Sequence, residues 1–190
     1  MKVSREQAAQ NRERVLDMAA RLFRERGFGG IGVADLMKSA GLTHGGFYGQ
    51  FASKEDLMAE ACSRAFQSAG GGLQRAVESS GGDPLAAAAA SYLSLAHRDH
   101  PGGGCVVAAL GAEAARQGPA LRRALTEGVR AQIDWLAGLM PGRARAAKRE
   151  RALASYAAMV GAMVLARAVE DPALSEEILQ AAAASIAPPA

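Results

Sequence analysis

Cysteine, threonine and aromatic residues are scarce in this sequence of 190 residues. Its two cysteines, Cys62 and Cys105, cannot build a disulfide framework, which suits a reducing compartment. Aromatics make up 5% of the chain, so a core has to be assembled from Leu, Met, Val and close-packed Ala. Ten Val, four Ile and two Thr stand against 44 Ala. Alanine is the best helix former, whereas β-branched residues are what sheets use. That balance argues against a sandwich, a barrel or a parallel sheet. The longest run without a charge, Ala152 to Ala166, has 15 residues, short of the roughly 20 needed for a transmembrane helix. The first twenty residues mix charges throughout and hold no apolar segment of the signal-peptide kind. The expectation is a soluble, cytoplasmic protein with no membrane partner.

What remains is an all-α chain, sized for one medium domain or for a small domain joined to a larger one. Its net charge of +3 is unevenly spread. Residues 1–54 hold nine Lys/Arg and five Asp/Glu; the rest hold thirteen and fourteen. Arg5, Arg12, Arg14, Arg21, Arg24 and Arg26 make the N-terminus basic, compatible with an anionic partner such as nucleic acid or with a plain solvated helix face.

Val15, Met18, Ala19, Leu22 and Phe23 form one helical stripe, closed by Arg24, Arg26 and then Gly27. Val33, Leu36, Met37 and Ala40 predict a second, short helix that stops at Gly41. Thr43 caps a third short segment, His44 to Gln50, with Phe47 and Phe51 as its apolar positions. Ser53-Lys54-Glu55-Asp56 has capping-box spacing and opens a long fourth helix. Gly70-Gly71-Gly72 is a kink or an end of that helix, and Gly81-Gly82 is a firmer break. Asp83-Pro84, Gly118-Pro119 and Asp171-Pro172 each place Pro at a first helical position. Further helices are expected near 84–98, 105–116, 119–139, 144–169 and 173–185, with the tail 187–190 frayed.

Gly27 to Gly32 formally matches the dinucleotide fingerprint G-x-G-x-x-G, but that chemistry needs a strand before the glycines. A helix precedes them here, so the stretch reads as a helix–helix connection. Val33 to Phe51 carries more. Two short helices joined by Ala40-Gly41-Leu42-Thr43 have the helix-turn-helix arrangement. A segment containing Gly45, Gly46 and Gly49 gains little stability of its own; small residues let a backbone approach a large surface such as DNA. The alternative is an ordinary Gly-rich loop.

The run Gly41-Leu42-Thr43-His44-Gly45-Gly46-Phe47-Tyr48-Gly49-Gln50-Phe51-Ala52-Ser53-Lys54-Glu55-Asp56-Leu57 resembles the signature of the tetracycline-repressor (TetR/AcrR) family of bacterial regulators. The resemblance covers roughly residues 10 to 62. It implies a three-helix helix-turn-helix DNA-binding domain over 1–53 and a helical effector-binding and dimerisation domain over 54–190. It implies that Thr43, His44 and Gly45 meet base edges or nearby phosphates. Tyr48 then reaches a phosphate, Gln50 touches phosphate or base, and Lys54 neutralises a phosphate beside helix N-terminal amides. One departure is Ile31-Gly32-Val33, where the family carries Thr-Thr or Thr-Ser. A phosphate contact at that position is lost or passes to backbone.

The resemblance further implies a homodimer built on a four-helix bundle, reading a near-palindromic DNA operator. The candidates are two long stripes carrying Leu125, Ile133 and Leu136, and Ala157, Val160, Gly161 and Val164; a monomeric core could use the same pattern. The remaining helices should enclose a pocket for a small-molecule effector, with Cys62, Phe66, Tyr92, Leu93, Cys105, Trp135 and Met159 as candidate lining. His97, His100 and Cys105 could hold a metal, but His97 to His100 also reads as a charged helix end. No metal, cofactor or catalytic group is expected. The reading is a ligand-responsive transcriptional regulator, a repressor released from its operator by a small molecule. Two alternatives stay open: a helical ligand-binding protein that never touches DNA, and a small metal- or thiol-dependent helical enzyme.

Overall fold

The computed structural model describes residues 4–187, so the expected fraying of Pro188 to Ala190 lies outside the described residues. Those described form an all-α fold: α1 (Arg5–Arg26), α2 (Val33–Ser39), α3 (Lys54–Ser79), α4 (Pro84–Tyr92), α5 (Leu95–Asp99), α6 (Val106–Ala114), α7 (Pro119–Leu139), α8 (Arg145–Ala168) and α9 (Pro172–Ile186). Tight turns at His44–Gly46 and Pro101–Gly103 complete it. The helix starts follow from side chains that accept orphan amide protons. Ser4 accepts from the Gln7 N–H, Asp83 from Leu85, and Asp171 from Ala173 and Leu174. Ser53 accepts the Asp56 N–H while its own hydroxyl donates to the Asp56 carboxylate, a side-chain variant of the expected capping box that still caps α3. Among the described residues no helix is long and apolar enough to cross a membrane.

Three expectations are corrected. The segment His44 to Gln50 is not an α-helix: one tight turn over His44–Gly46 is followed by a separate turn closed by the Gln50 and Phe51 N–H groups on the Phe47 carbonyl, and the Thr43 side chain caps nothing. Three glycines in seven residues cost too much backbone entropy for a stable helix, about 1 kcal/mol each relative to Ala. Gly70 to Gly72 do not break α3, which runs unbroken to Ser79 and is held along α1 and α7. The predicted helix 84–98 is two helices, because Ser94 accepts the His97 N–H and starts α5 afresh.

Two apolar cores result. The first gathers Val15, Ala19, Phe23, Leu36, Met37, Phe47, Phe51 and Leu57, and continues into Val106 and Leu110 of α6 and Leu121 of α7. The N-terminal helices therefore share their core with the C-terminal ones. The second lies among α4, α7, α8 and α9 around Ile133, Leu136, Met159, Met163 and Leu179. Gly128 of α7 permits one close approach: a Cβ there would fall inside the Phe66 ring, at 2.1 Å from its nearest carbon.

Candidate functional site

The turns after α2 are pinned from inside and open outside. Phe47 is fully buried and stacks on Phe51 at 5.6 Å. Burying such a ring stabilises by about 1.5–3 kcal/mol. Anchored this way, the segment turns Thr43, His44, Gly45 and Tyr48 outward. Tyr48 is 69% exposed, with its ring edge-on to Phe47 at 5.1 Å and to His44 at 6.1 Å. A large aromatic held in water by its neighbours presents a hydroxyl on a fixed arm.

Two residues expected on that surface are engaged elsewhere. Gln50 folds back, its Nε2 donating to the Gly46 carbonyl at 3.2 Å, while its Oε1 is buried without a partner among the described residues. Lys54 donates to the Phe28 and Ile31 carbonyls at 2.8 and 2.9 Å, so it laces the α1–α2 connection to the start of α3. Part of the basic N-terminus is paired within the chain, although Arg21 stays exposed. Arg12 chelates Glu60 and lies over the Phe51 ring, and Arg21 pairs with Glu25. Arg64 of α3 reaches back to Glu13 and Asp17. Arg5, Arg14 and Arg26 are exposed.

A cavity of about 290 Å³ opens between α3, α4, α5 and the start of α6. Phe66, Leu73 and Val106 give it apolar walls; Tyr92, Tyr156, Cys105 and Gln132 give it polar atoms. Cys105 Sγ lies 3.8 Å from the Tyr156 hydroxyl. Burial raises the pKa of both tyrosines, keeping the phenols protonated. His97 underlies Tyr92, ring centroids 4.6 Å apart. Its Nε2 accepts the Cys105 N–H at 2.8 Å, so its proton sits on Nδ1 and is donated to the Tyr92 carbonyl at 2.6 Å. Both ring nitrogens are thereby committed, and desolvation lowers the imidazole pKa. That removes His97 as a metal ligand.

Of the expected lining residues, Phe66, Tyr92 and Cys105 lie on this cavity. Cys62, Leu93, Trp135 and Met159 do not. Cys62 is in the first core, where burial pushes its thiol up to about 12. Leu93, Met159 and the half-buried Trp135 pack in the second. Helical spacing marks an apolar face without saying whether the far side of it is filled.

The cavity is wired to the N-terminal helices. Arg24, expected as a helix-ending cation, is buried, with Nε on the Ala20 carbonyl at 2.8 Å and a second nitrogen on the Gly104 carbonyl at 2.7 Å. Glu113 of α6 accepts the Phe28 N–H at 2.9 Å, just beyond Gly27, whose φ of 77° ends α1. No periodicity signal could have found Arg24 or Glu113, because their partners are backbone groups far away in sequence.

The fold has known counterparts. Residues 15–61 match the family described as bacterial regulatory proteins, tetR family. The HTH-type transcriptional regulator AcrR of Shigella flexneri is 35% identical over 57 residues, 30% of this chain. Over these residues the chain is similar to the TetR/AcrR family. That match spans only 26% of the AcrR sequence. Beyond it the likeness to solved TetR-type structures is mostly one of shape. Reduced NemR of E. coli is 26% identical with a TM-score of 0.76, covering 94% of this chain and 95% of that one. A TetR-family regulator from Cytophaga hutchinsonii reaches 0.79 at 22% identity, with 98% and 97% covered. AibR, solved with isovaleryl coenzyme A and operator DNA, reaches 0.64 at 15% identity, with 95% and 100% covered.

The stripes expected at a TetR-type dimer axis fare unequally. Ile133 and Leu136 are buried within the second core, and Leu125 is half-buried against the first. The α7 helix is flanked by α3 and α8, which cover Ile133 and Leu136, while Leu125 and Val129 of the same stripe stay half-buried along a surface groove. On α8, Ala157 and Val164 are exposed, Val160 and Gly161 half-exposed, with Leu153 and Leu165 beside them.

Proposed function

We propose that this chain is a DNA-binding transcriptional repressor of the TetR type, released from its operator by a small molecule held in the α3–α6 cavity. The observation that carries the reading is the outward set Thr43, His44, Gly45 and Tyr48 on a rigid Phe47–Phe51 anchor. Thr43 and His44 offer donors to base edges or phosphates, and Gly45 lets the backbone approach. Tyr48 reaches a phosphate, which supports affinity more than sequence choice. Lys54 contributes its charge to the same surface while holding the loop beneath it, and Gln50 supports the turn from within.

Two such surfaces are needed to read a near-palindromic site, ~34–36 Å apart. A homodimer through the outward face of α8, at Leu153, Ala157, Gly161 and Val164, supplies them. The 1–53 unit is the DNA-binding part and 54–190 the effector and dimerisation part, with a core shared across the boundary. The chain acts in the cytoplasm and performs no covalent chemistry. AibR, with both coenzyme-A ester and operator DNA bound, is a fold relative in which the two kinds of ligand coexist. By linkage, a ligand that prefers the conformation with wrongly spaced DNA-reading turns weakens DNA binding, and DNA weakens the ligand equally.

In vitro selection from a random duplex pool tests this. Enrichment of a near-palindromic sequence, lost in a Thr43→Ala, His44→Ala double variant, is expected. A pool that stays random after repeated rounds overturns it.

A further inference from the structure

We propose that the cavity beside Tyr92 takes a small, uncharged, chiefly apolar molecule whose one hydrogen-bond acceptor, a carbonyl oxygen, receives the Tyr92 hydroxyl. This rests on the reading of that cavity as the effector site and names its ligand class.

The first observation is an orphan. The Tyr92 hydroxyl is buried and has no hydrogen-bond partner among the described residues, although the side chain lines the cavity and is only 7% exposed. A buried hydroxyl without a partner costs about 1–3 kcal/mol. The Cys105 thiol lies near both phenols and meets hydrogen-bond geometry only with Tyr156, at 3.8 Å, so at most a weak thiol contact reaches Tyr92. An acceptor arriving in the cavity would relieve that cost, and Tyr92 can only donate to it, since burial keeps the phenol protonated.

The second observation is the charge of the walls. No Asp, Glu, Lys or Arg lines the cavity. His97 is held neutral by its two backbone bonds, and His100 stands at the exposed mouth. Arg24 and Arg167 lie just behind the lining, where they serve the carbonyls of Ala20, Gly104, His97 and Arg98, while Arg167 Nη1 is buried without a partner among the described residues and off the wall itself. A carboxylate entering here would be buried with no counter-ion on the wall, and an ammonium would find no carboxylate; either is costly.

The third is size and shape. At about 290 Å³ the cavity is at the small end of ligand sites. Phe66 provides a flat apolar face and Leu73 and Val106 close-packed aliphatic ones, so a single substituted ring fits better than a long chain or a conjugate.

Calorimetric titration of the full chain with acetophenone, ethylbenzene and benzoate at pH 7 tests the proposal. Acetophenone should bind about fivefold more tightly than ethylbenzene, the worth of one hydrogen bond. Benzoate should not bind at the same concentrations. Tyr92→Phe should bring acetophenone to the level of ethylbenzene without lowering the melting temperature of the unliganded protein, because the hydroxyl bonds nothing there. Benzoate binding as well as acetophenone, an unchanged Tyr92→Phe affinity, or no binding of any probe would overturn it. DNA binding is measured separately on the same preparations. Intact DNA binding with no probe bound refutes the ligand class and spares the regulator. A ketone that binds without altering DNA affinity upholds the class and refutes effector release.

Discussion

The Arg24 guanidinium donates to the Gly104 carbonyl at 2.7 Å and so ties the end of α1 to a turn 80 residues away that floors the cavity. The bond is buried, and desolvation pulls the guanidinium pKa down from its ordinary value. A ligand that shifts the Gly103–Cys105 backbone must therefore either drag α1 or break a charge-assisted hydrogen bond. Arg24→Leu strips the Gly104 carbonyl of its side-chain donor and leaves the Ala20 carbonyl only its helical one. It should cost about 1.5–3 kcal/mol in urea unfolding. It should also make DNA affinity insensitive to a ligand that still binds. Retained ligand response in a folded Arg24→Leu protein would remove this residue from the coupling path.

Lys54 and Tyr48 should separate in their effects. Lys54 bonds two carbonyls of the α1–α2 connection, so Lys54→Ala should lower stability by about 1–3 kcal/mol as well as weaken binding to every duplex. Tyr48 stands in water, and Tyr48→Phe should leave stability within about 0.5 kcal/mol while lowering affinity for all sequences alike. Thermal melts paired with binding isotherms decide it; a Lys54→Ala protein as stable as wild type would contradict the lacing seen here.

Acid should destabilise the cavity through His97. Its folded pKa lies below the ordinary 6.5 because the ring is desolvated. Between the two values the unfolded chain binds the proton more readily, so stability is full above about 6.5 and falls as the pH drops through that window. His97→Gln should flatten the dependence between pH 7.5 and 5.5 in denaturant titrations. An equal slope in wild type and variant would place the pH sensitivity elsewhere.

The outward face of α8 and the inward face of α7 predict opposite phenotypes. Val164→Arg should leave helicity and monomer stability intact, yet yield a monomer by sedimentation and abolish tight DNA binding. Ile133→Ala should instead cost about 2–5 kcal/mol of stability, as a large-to-small change in a packed core. A dimeric Val164→Arg protein would refute the assignment of that face.

Sequence reading reached the helices that carry local instructions. The Pro starts after Asp83, Gly118 and Asp171, and the Ser53 box, act over a few residues and are visible as spelling. Phe47 and Phe51 are legible as core from their spacing, while the outward Tyr48 comes from the family signature and the segment itself reads as a helix, which it is not. Met159, by contrast, shares a helical face with Tyr156, and Leu93 directly follows Tyr92, yet both pack into solid core. Whether a face meets a void depends on elements distant in sequence. Lys54, Arg24 and His97 each turn to backbone carbonyls or amides, which every residue possesses and no sequence pattern marks.

The central claim is that the Thr43–Tyr48 surface binds DNA. Fluorescence anisotropy with duplex from upstream of the protein's own coding region, over a salt series and beside a scrambled duplex, tests it most directly. The account predicts tight, sequence-selective binding that weakens steeply with salt and is reduced by Tyr48→Phe. Absence of any salt-sensitive duplex binding, even at low ionic strength, would contradict it.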